Sequence, residues 1–198
     1  MNFLGHLLLT YPHRELTMGN LLGDFVRSRE ARRLEPGLRQ GIAIHHDIDR
    51  FTDSHPDVRK LIRLMRASHG KYAPVVVDIL LDYILARNWD EHASIPYPHF
   101  TEWVYDVVTE FIPVLSHPVS THLGNMVRHR WIDGYDTEEK LHHVLLRMDI
   151  RASFPSSFIS GTQDIEEHYE IFVAAFSNFY NNIREMPSLQ IPLSKVEE

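Results

Sequence analysis

The segment VVVDILLDYIL at residues 75–85 sets the tightest limit on the fold. Its β-branched start invites a strand. However, Val77, Leu80, Leu81, Ile84 and Leu85 recur at helical spacing, and the run is too long for an ordinary strand. Pro74 opens a helix there that reaches about Asn88. A helix apolar on nearly every side has to be buried among other elements. Two acids, Asp78 and Asp82, nonetheless sit four residues apart on one face of it. Like charges at that spacing destabilise a helix, and desolvation adds to the cost. A metal ion or an arginine partner is therefore expected, with Arg63, Arg66 or Arg87 as the arginine alternatives.

The rest of the chain repeats the helical pattern. Prolines and glycines punctuate helix-length segments, and period-two hydrophobic alternation is nearly absent. A short apolar segment spans about 2–10, and a second helix begins near Thr17 as N-cap. A third runs from Pro36 to about Asp53, and Ser54 caps a fourth at Pro56. In that fourth helix Val58, Leu61, Ile62 and Met65 share one face. Further helices are expected at about 98–115, 119–133, 137–150 and 163–186. The fold class is all-α: a single-domain helical bundle over 1–186, followed by an irregular tail at 187–198.

Composition removes several function classes. The 198 residues include no cysteine, which excludes disulfides, thiolate nucleophiles and cysteine-ligated metal sites. A net charge of −7 argues against nucleic acid as a partner. The first residues, MNFLGHLLLTYPHRE, lack a basic start, and no run approaches the ~20 apolar residues of a membrane span. A soluble, cytoplasmic protein is expected. No phosphate-binding glycine loop, dinucleotide fingerprint, nucleophile elbow or H-E-x-x-H zinc motif occurs.

Fourteen histidines draw attention to metal and acid–base chemistry. In IAIHHDIDRFTD, His45 and Asp49 are four residues apart and stack on one helix face, with Asp53 a turn further on. Imidazole nitrogen with carboxylate oxygen makes a donor set for a divalent cation. The alternative is a solvated ion pair. His46 and Asp47 point elsewhere around the helix and are read as outer-face or rim residues. In GNLLGDFVR, Gly19 and Gly23 allow a second helix to come close, and Asp24 lies beside apolar packing. Asp24 is a candidate ligand or general base; pairing with Arg27 or a capping role is the competing reading. His6, alone among apolar residues of the first segment, joins the candidates because the other segments already point to a metal site.

The ordered motifs MNFLGHL, GNLLGDFVR, GIAIHHDIDRFTD and APVVVDILLDYILARNW resemble the acyl carrier protein phosphodiesterases, a divergent branch of the helical His-Asp metal phosphohydrolases. The resemblance is dense to about residue 90 and continues through FPSSF and HYEIFVAAFSNFYNNI. It implies the His-Asp phosphohydrolase fold and removal of 4′-phosphopantetheine from holo-acyl carrier protein, the protein substrate, with a divalent metal, typically manganese. Carried over, it marks His6, Asp24, His45, Asp49, Asp78 and Asp82 as metal ligands, with Asp24, His45 and Asp49 also catalytic. The family signature falls on His45, Asp49, Thr52 and Asp53, while Ala43 departs from it, standing where a relative carries another histidine. Arg27, Arg39, Arg50 or His69 would steady phosphate oxygens. The basic clusters Arg27–Arg33 and Arg59–Arg66 would receive an acidic carrier protein. Two rivals use the same residues: a phosphohydrolase acting on a nucleotide or other small phosphodiester, and a non-catalytic helical binding protein whose acids are held by arginines.

Overall fold

The computed structural model describes residues 2–190. Its α-helices are α1 (Phe3–Thr10), α2 (Arg14–Leu22), α3 (Ser28–Ala31), α4 (Pro36–Ser54), α5 (Pro56–His69), α6 (Ala73–Arg87), α7 (Trp89–His92), α8 (Tyr97–Phe111), α9 (Val119–Arg128), α10 (Glu138–Arg151) and α11 (Gly161–Arg184). Short 3-10 turns fill several joins, and no strand occurs among the described residues. The all-α reading holds. The expected tail opens with a 3-10 turn at Pro187–Leu189, and residues 191–198 lie outside the described residues. No helix of the described residues is long and apolar enough to cross a membrane.

Helix α6 is the axis of the core. Val76, Val77, Leu80, Leu81, Ile84 and Leu85 are wholly buried on it, with α1, α5 and α11 packed around. Phe172, Phe176 and Phe179 on α11 are wholly buried too, at helical spacing. Each such side chain contributes about 2 kcal/mol through removal from water.

Two helix starts differ from expectation. Thr17 is not an N-cap: α2 begins three residues earlier, at Arg14, and Thr17 is buried within it. His55, not Ser54, caps α5, its Nδ1 accepting the Asp57 N–H at 3.3 Å. Ser54 Oγ instead donates to the Phe51 carbonyl at 2.9 Å. The Pro36 and Pro56 helix starts appear where expected, because proline suits the first turn.

The closest helix approach joins α2 to α4. A Cβ on Gly19 would lie 2.2 Å from the Leu38 carbonyl oxygen, and one on Gly41 would lie 2.3 Å from the Leu16 carbonyl oxygen. Four residues along from Gly19, a Cβ on Gly23 would lie 2.3 Å from His45 Cγ. The close packing expected from Gly19 and Gly23 is present, and it seats the His45 ring.

The partner of Asp82 is neither a metal-site neighbour nor an arginine. Asp82 is wholly buried, and its oxygens accept the Leu4 N–H at 2.8 Å and the Gly5 N–H at 3.1 Å. These are unpaired donors of the first turn of α1, where the helix dipole also favours a carboxylate. Burial nevertheless pushes the carboxyl up to about 7, against the pull of both hydrogen bonds. A carboxyl raised in this way stabilises the fold below its ordinary value of 3.8, and that contribution is lost as pH climbs to about 7. Asp82→Asn exchanges one acceptor oxygen for a donor facing a donor. It is expected to cost about 1–3 kcal/mol at pH 4 and less at pH 8. Urea melts of the metal-free protein at the two pH values measure this; an equal loss at both would contradict it.

Candidate metal centre

Three helices bring the site together. His6 projects from α1, Asp24 follows the end of α2, and His45 and Asp49 stand one turn apart on α4. His6 Nε2 lies 3.3 Å from Asp49 Oδ1, and His45 Nε2 lies 3.1 Å from Asp49 Oδ2. Asp24 Oδ1 stands 3.7 Å from the same His45 nitrogen. The imidazole rings are 4.6 Å apart between centroids. Both histidine side chains are nearly buried, at 6% and 5% exposure, while Asp24 and Asp49 remain about half exposed, at 49% and 48%. The nitrogens thus form a floor and the carboxylates face water.

Asn20 on α2 fixes the His6 ring. Its side-chain oxygen lies 3.0 Å from His6 Nδ1, while its amide donates to the His6 carbonyl at 2.8 Å. That arrangement places the His6 proton on Nδ1 and leaves a lone pair on Nε2, turned toward Asp49. A lone pair facing a carboxylate calls for a positive charge between them. His45 Nδ1 is buried and makes no hydrogen bond of ordinary geometry among the described residues, although the Asn20 backbone helps to hold a proton on the ring, and its Nε2 faces both acids.

The electrostatics follow from this crowding. Burial of Asp24 raises its carboxyl above the ordinary range, helped by the Asp49 charge and opposed by His45 and His6. Burial disfavours a charged His45, but the hydrogen bond to Asp49 and the charges of Asp24 and Asp49 outweigh it, so its pKa rises. Asp49 is pushed up by burial and pulled further down by His45 and His6 when those rings are protonated and donate to it, ending well below the usual carboxylate range. The pair of acids is split: one holds its charge firmly, the other is poised to take a proton.

The cluster opens into a pocket of about 320 Å³. His6, Asp24, His45, Asp49 and Asp78 all line it, so five of the six expected ligands converge on one cavity. Asp82 does not; it lies behind the site, anchoring α1. Asp78 is half-buried in the wall, and its charge helps to raise the carboxyls of Asp53 and Asp82. His46 is exposed on the rim, yet His45, His46 and Asp49 each offer a donor atom within 4.8 Å of the others. Asp47 turns to Arg50, 2.9 Å away. Thr52 is buried and Asp53 exposed, both outside the pocket lining.

None of Arg27, Arg39, Arg50 and His69 lines the pocket, and His69 instead pairs with Asp164 at 2.7 Å. The cations at the cavity are Arg147 and Arg151, one turn apart on α10, beside Met148. Sequence reasoning passed over them. The available signal was the spacing in LLRMDIR, which puts two arginines on one helix face. Asn2 and Phe3 complete the wall next to α1, and Asn2 Nδ2 donates to the Tyr135 hydroxyl at 2.7 Å.

The donors fit a divalent cation. Imidazole nitrogen and carboxylate oxygen together suit manganese, iron or zinc, and the outer-face hydrogen bond from Asn20 holds one ring in the ligating tautomer.

No solved structure matches the chain. Curated proteins do, over nearly their full lengths. An acyl carrier protein phosphodiesterase of Escherichia coli is 30% identical over 190 residues, covering 95% of this chain and 98% of the relative. Proteins of the same name from Enterobacter sp. and Serratia proteamaculans are 30% and 29% identical, each covering 91% of this chain and 94% of the relative. The family's own pattern runs through residues 1–183, which include every group in the cluster, and the chain belongs to the acyl carrier protein phosphodiesterase family.

Proposed function

We propose that this protein hydrolyses the phosphodiester linking 4′-phosphopantetheine to a serine of holo-acyl carrier protein, with a divalent cation, manganese for preference, held by His6, Asp24, His45 and Asp49. The observation that carries this reading is the convergence of two imidazole nitrogens on two half-exposed carboxylates at the floor of a pocket walled by arginines. The donor set supports the ion, and the names of the relatives support the substrate. When bound, such a cation lowers the pKa of a water and offsets the charge of a phosphodiester.

The chain's own groups account for the remaining work. Asp24, half exposed at the cavity floor, orients the attacking water and takes up its proton. Asp49 keeps its charge and holds both imidazoles in place. Arg147 and Arg151 take the non-bridging phosphate oxygens. The water oxygen bonds to phosphorus while the bond to the serine oxygen breaks, and the proton taken from the water passes to that serine oxygen. The products are 4′-phosphopantetheine and an apo carrier protein with a free serine hydroxyl. Asp78 lines the same cavity and is proposed as a further ligand. The cysteine-free composition suits a cytoplasmic setting.

The test is conversion of purified holo-acyl carrier protein to the apo form, followed by mass, with manganese, magnesium or chelator. Loss of the phosphopantetheine mass with manganese and none with chelator is the expected result. No conversion by the metal-loaded protein, with turnover of small phosphodiesters instead, would replace this substrate by the rival class.

A further inference from the structure

The pocket mouth is chemically lopsided. On one side stand the carboxylates Asp24 and Asp49, with Asp78 in the wall on α6. On the other, α10 and its surroundings present cations and apolar groups. Arg147 and Arg151 line the cavity and have no acidic partner among the described residues, although the chain carries a net charge of −7. Arg151 lies over the Trp131 ring, 5.7 Å from its centroid.

Beside the arginines the surface is apolar. Ile150, three residues from Arg147 on α10, is 77% exposed, and Phe154, just past the helix, is 61% exposed. The Lys71 ammonium sits 3.0 Å from the centroid of the Phe154 ring. Four residues after Lys71, Val75 is 38% exposed and lines the pocket. These exposed side chains beside the cavity offer a partner apolar area to bury.

The proposed substrate says what such a surface meets. A phosphorus joined to a serine oxygen is only a few bonds from the backbone of the protein that carries it. It reaches His45 and Asp49 only if that protein presses against the mouth. An acyl carrier protein is acidic, so the carboxylate side of the mouth repels it and the α10 side attracts it. We propose that the face formed by Arg147, Ile150, Arg151, Phe154 and Lys71 is the docking surface for the acidic carrier protein. Ile150 and Phe154 bury against it and Lys71 meets its acids, while Arg147 and Arg151 carry the positive surface inward to the phosphate. This rests on the carrier protein being the substrate, and it moves the docking site away from Arg27–Arg33 and Arg59–Arg66.

The test separates docking from chemistry. Binding of a fluorescently labelled bacterial apo-acyl carrier protein is followed by anisotropy at low salt, for the wild type, Ile150→Glu, Phe154→Ser and Arg87→Glu. Arg87 is an exposed arginine twelve residues along α6 from Val75, about 18 Å away, and its substitution removes more positive charge than Ile150→Glu does, so it controls for net charge. Ile150 and Phe154 are exposed, so folding is expected to survive and is checked by circular dichroism. Binding weakened about tenfold or more by Ile150→Glu and Phe154→Ser, but within twofold for Arg87→Glu, supports the surface. Unchanged binding in the first two variants, equal weakening in all three, or no binding by the wild type overturns it. The same samples are assayed for holo-to-apo conversion. A docking surface that behaves as expected without any conversion would sink the proposed reaction and leave the surface standing.

Discussion

Asp49→Ala is expected to lower conversion of holo-acyl carrier protein by about 10³-fold or more while the protein stays folded. Asp49 touches both imidazoles through separate oxygens, at 3.3 and 3.1 Å, so its loss breaks the cluster at its centre. His6 and His45 would keep their helices but lose the group that turns both Nε2 atoms to one point. Asp49→Asn tests charge apart from shape, because an amide keeps the outline and offers an NH₂ to nitrogens that should face a cation. Manganese retained after gel filtration, measured by mass spectrometry, should fall in both variants. Conversion by Asp49→Ala within tenfold of wild type would mean that Asp49 is a bystander.

The largest effect on stability should come from a single methyl group one helical turn before His45. Gly41→Ala places a Cβ 2.3 Å from the Leu16 carbonyl oxygen and 2.7 Å from both Asn20 N and Gly19 Cα. These are backbone atoms, so no side chain can swing aside, and α2 and α4 have to separate. The expected loss is about 3 kcal/mol. For a chain of this size that lowers Tm by about 6–12 °C. Gly124→Ala on α9 is the control, since a Cβ there meets nothing within 4 Å. A Tm for Gly41→Ala within 2 °C of wild type, as Gly124→Ala should give, would show that the helices separate at little cost.

What the sequence made legible was local. Helical spacing placed His45 over Asp49, and the prolines placed the starts of α4 and α5, because both depend on residues within a turn or two. Gly19 and Gly23 announced a close neighbour but could not name it as Gly41 and His45. Asp82 shows where local reasoning ends. A buried acid beside Asp78 demanded a partner, and within reach along the chain stood only arginines and a hypothetical ion. The actual donors, Leu4 and Gly5, are separated from it by 78 and 77 residues, and backbone N–H groups leave no mark in a sequence. Arg147 and Arg151 were missed for the same reason. Their spacing on α10 was visible, but only folding brings that face opposite His6 and Asp49. The N-cap assigned to Thr17 failed because threonine also serves inside a buried helix, and His13 gave no capping signal to compete with it.

The position of Asn2 and Phe3 in the pocket wall bears on how the protein is handled at the bench. Whatever is fused ahead of Asn2 emerges beside the cavity, within reach of Tyr135, through which Asn2 is held. A purification tag or fluorescent label at that end would lie beside the cavity mouth, and a histidine tag would bring further imidazoles to the candidate metal site. Tags for this chain belong at its other terminus.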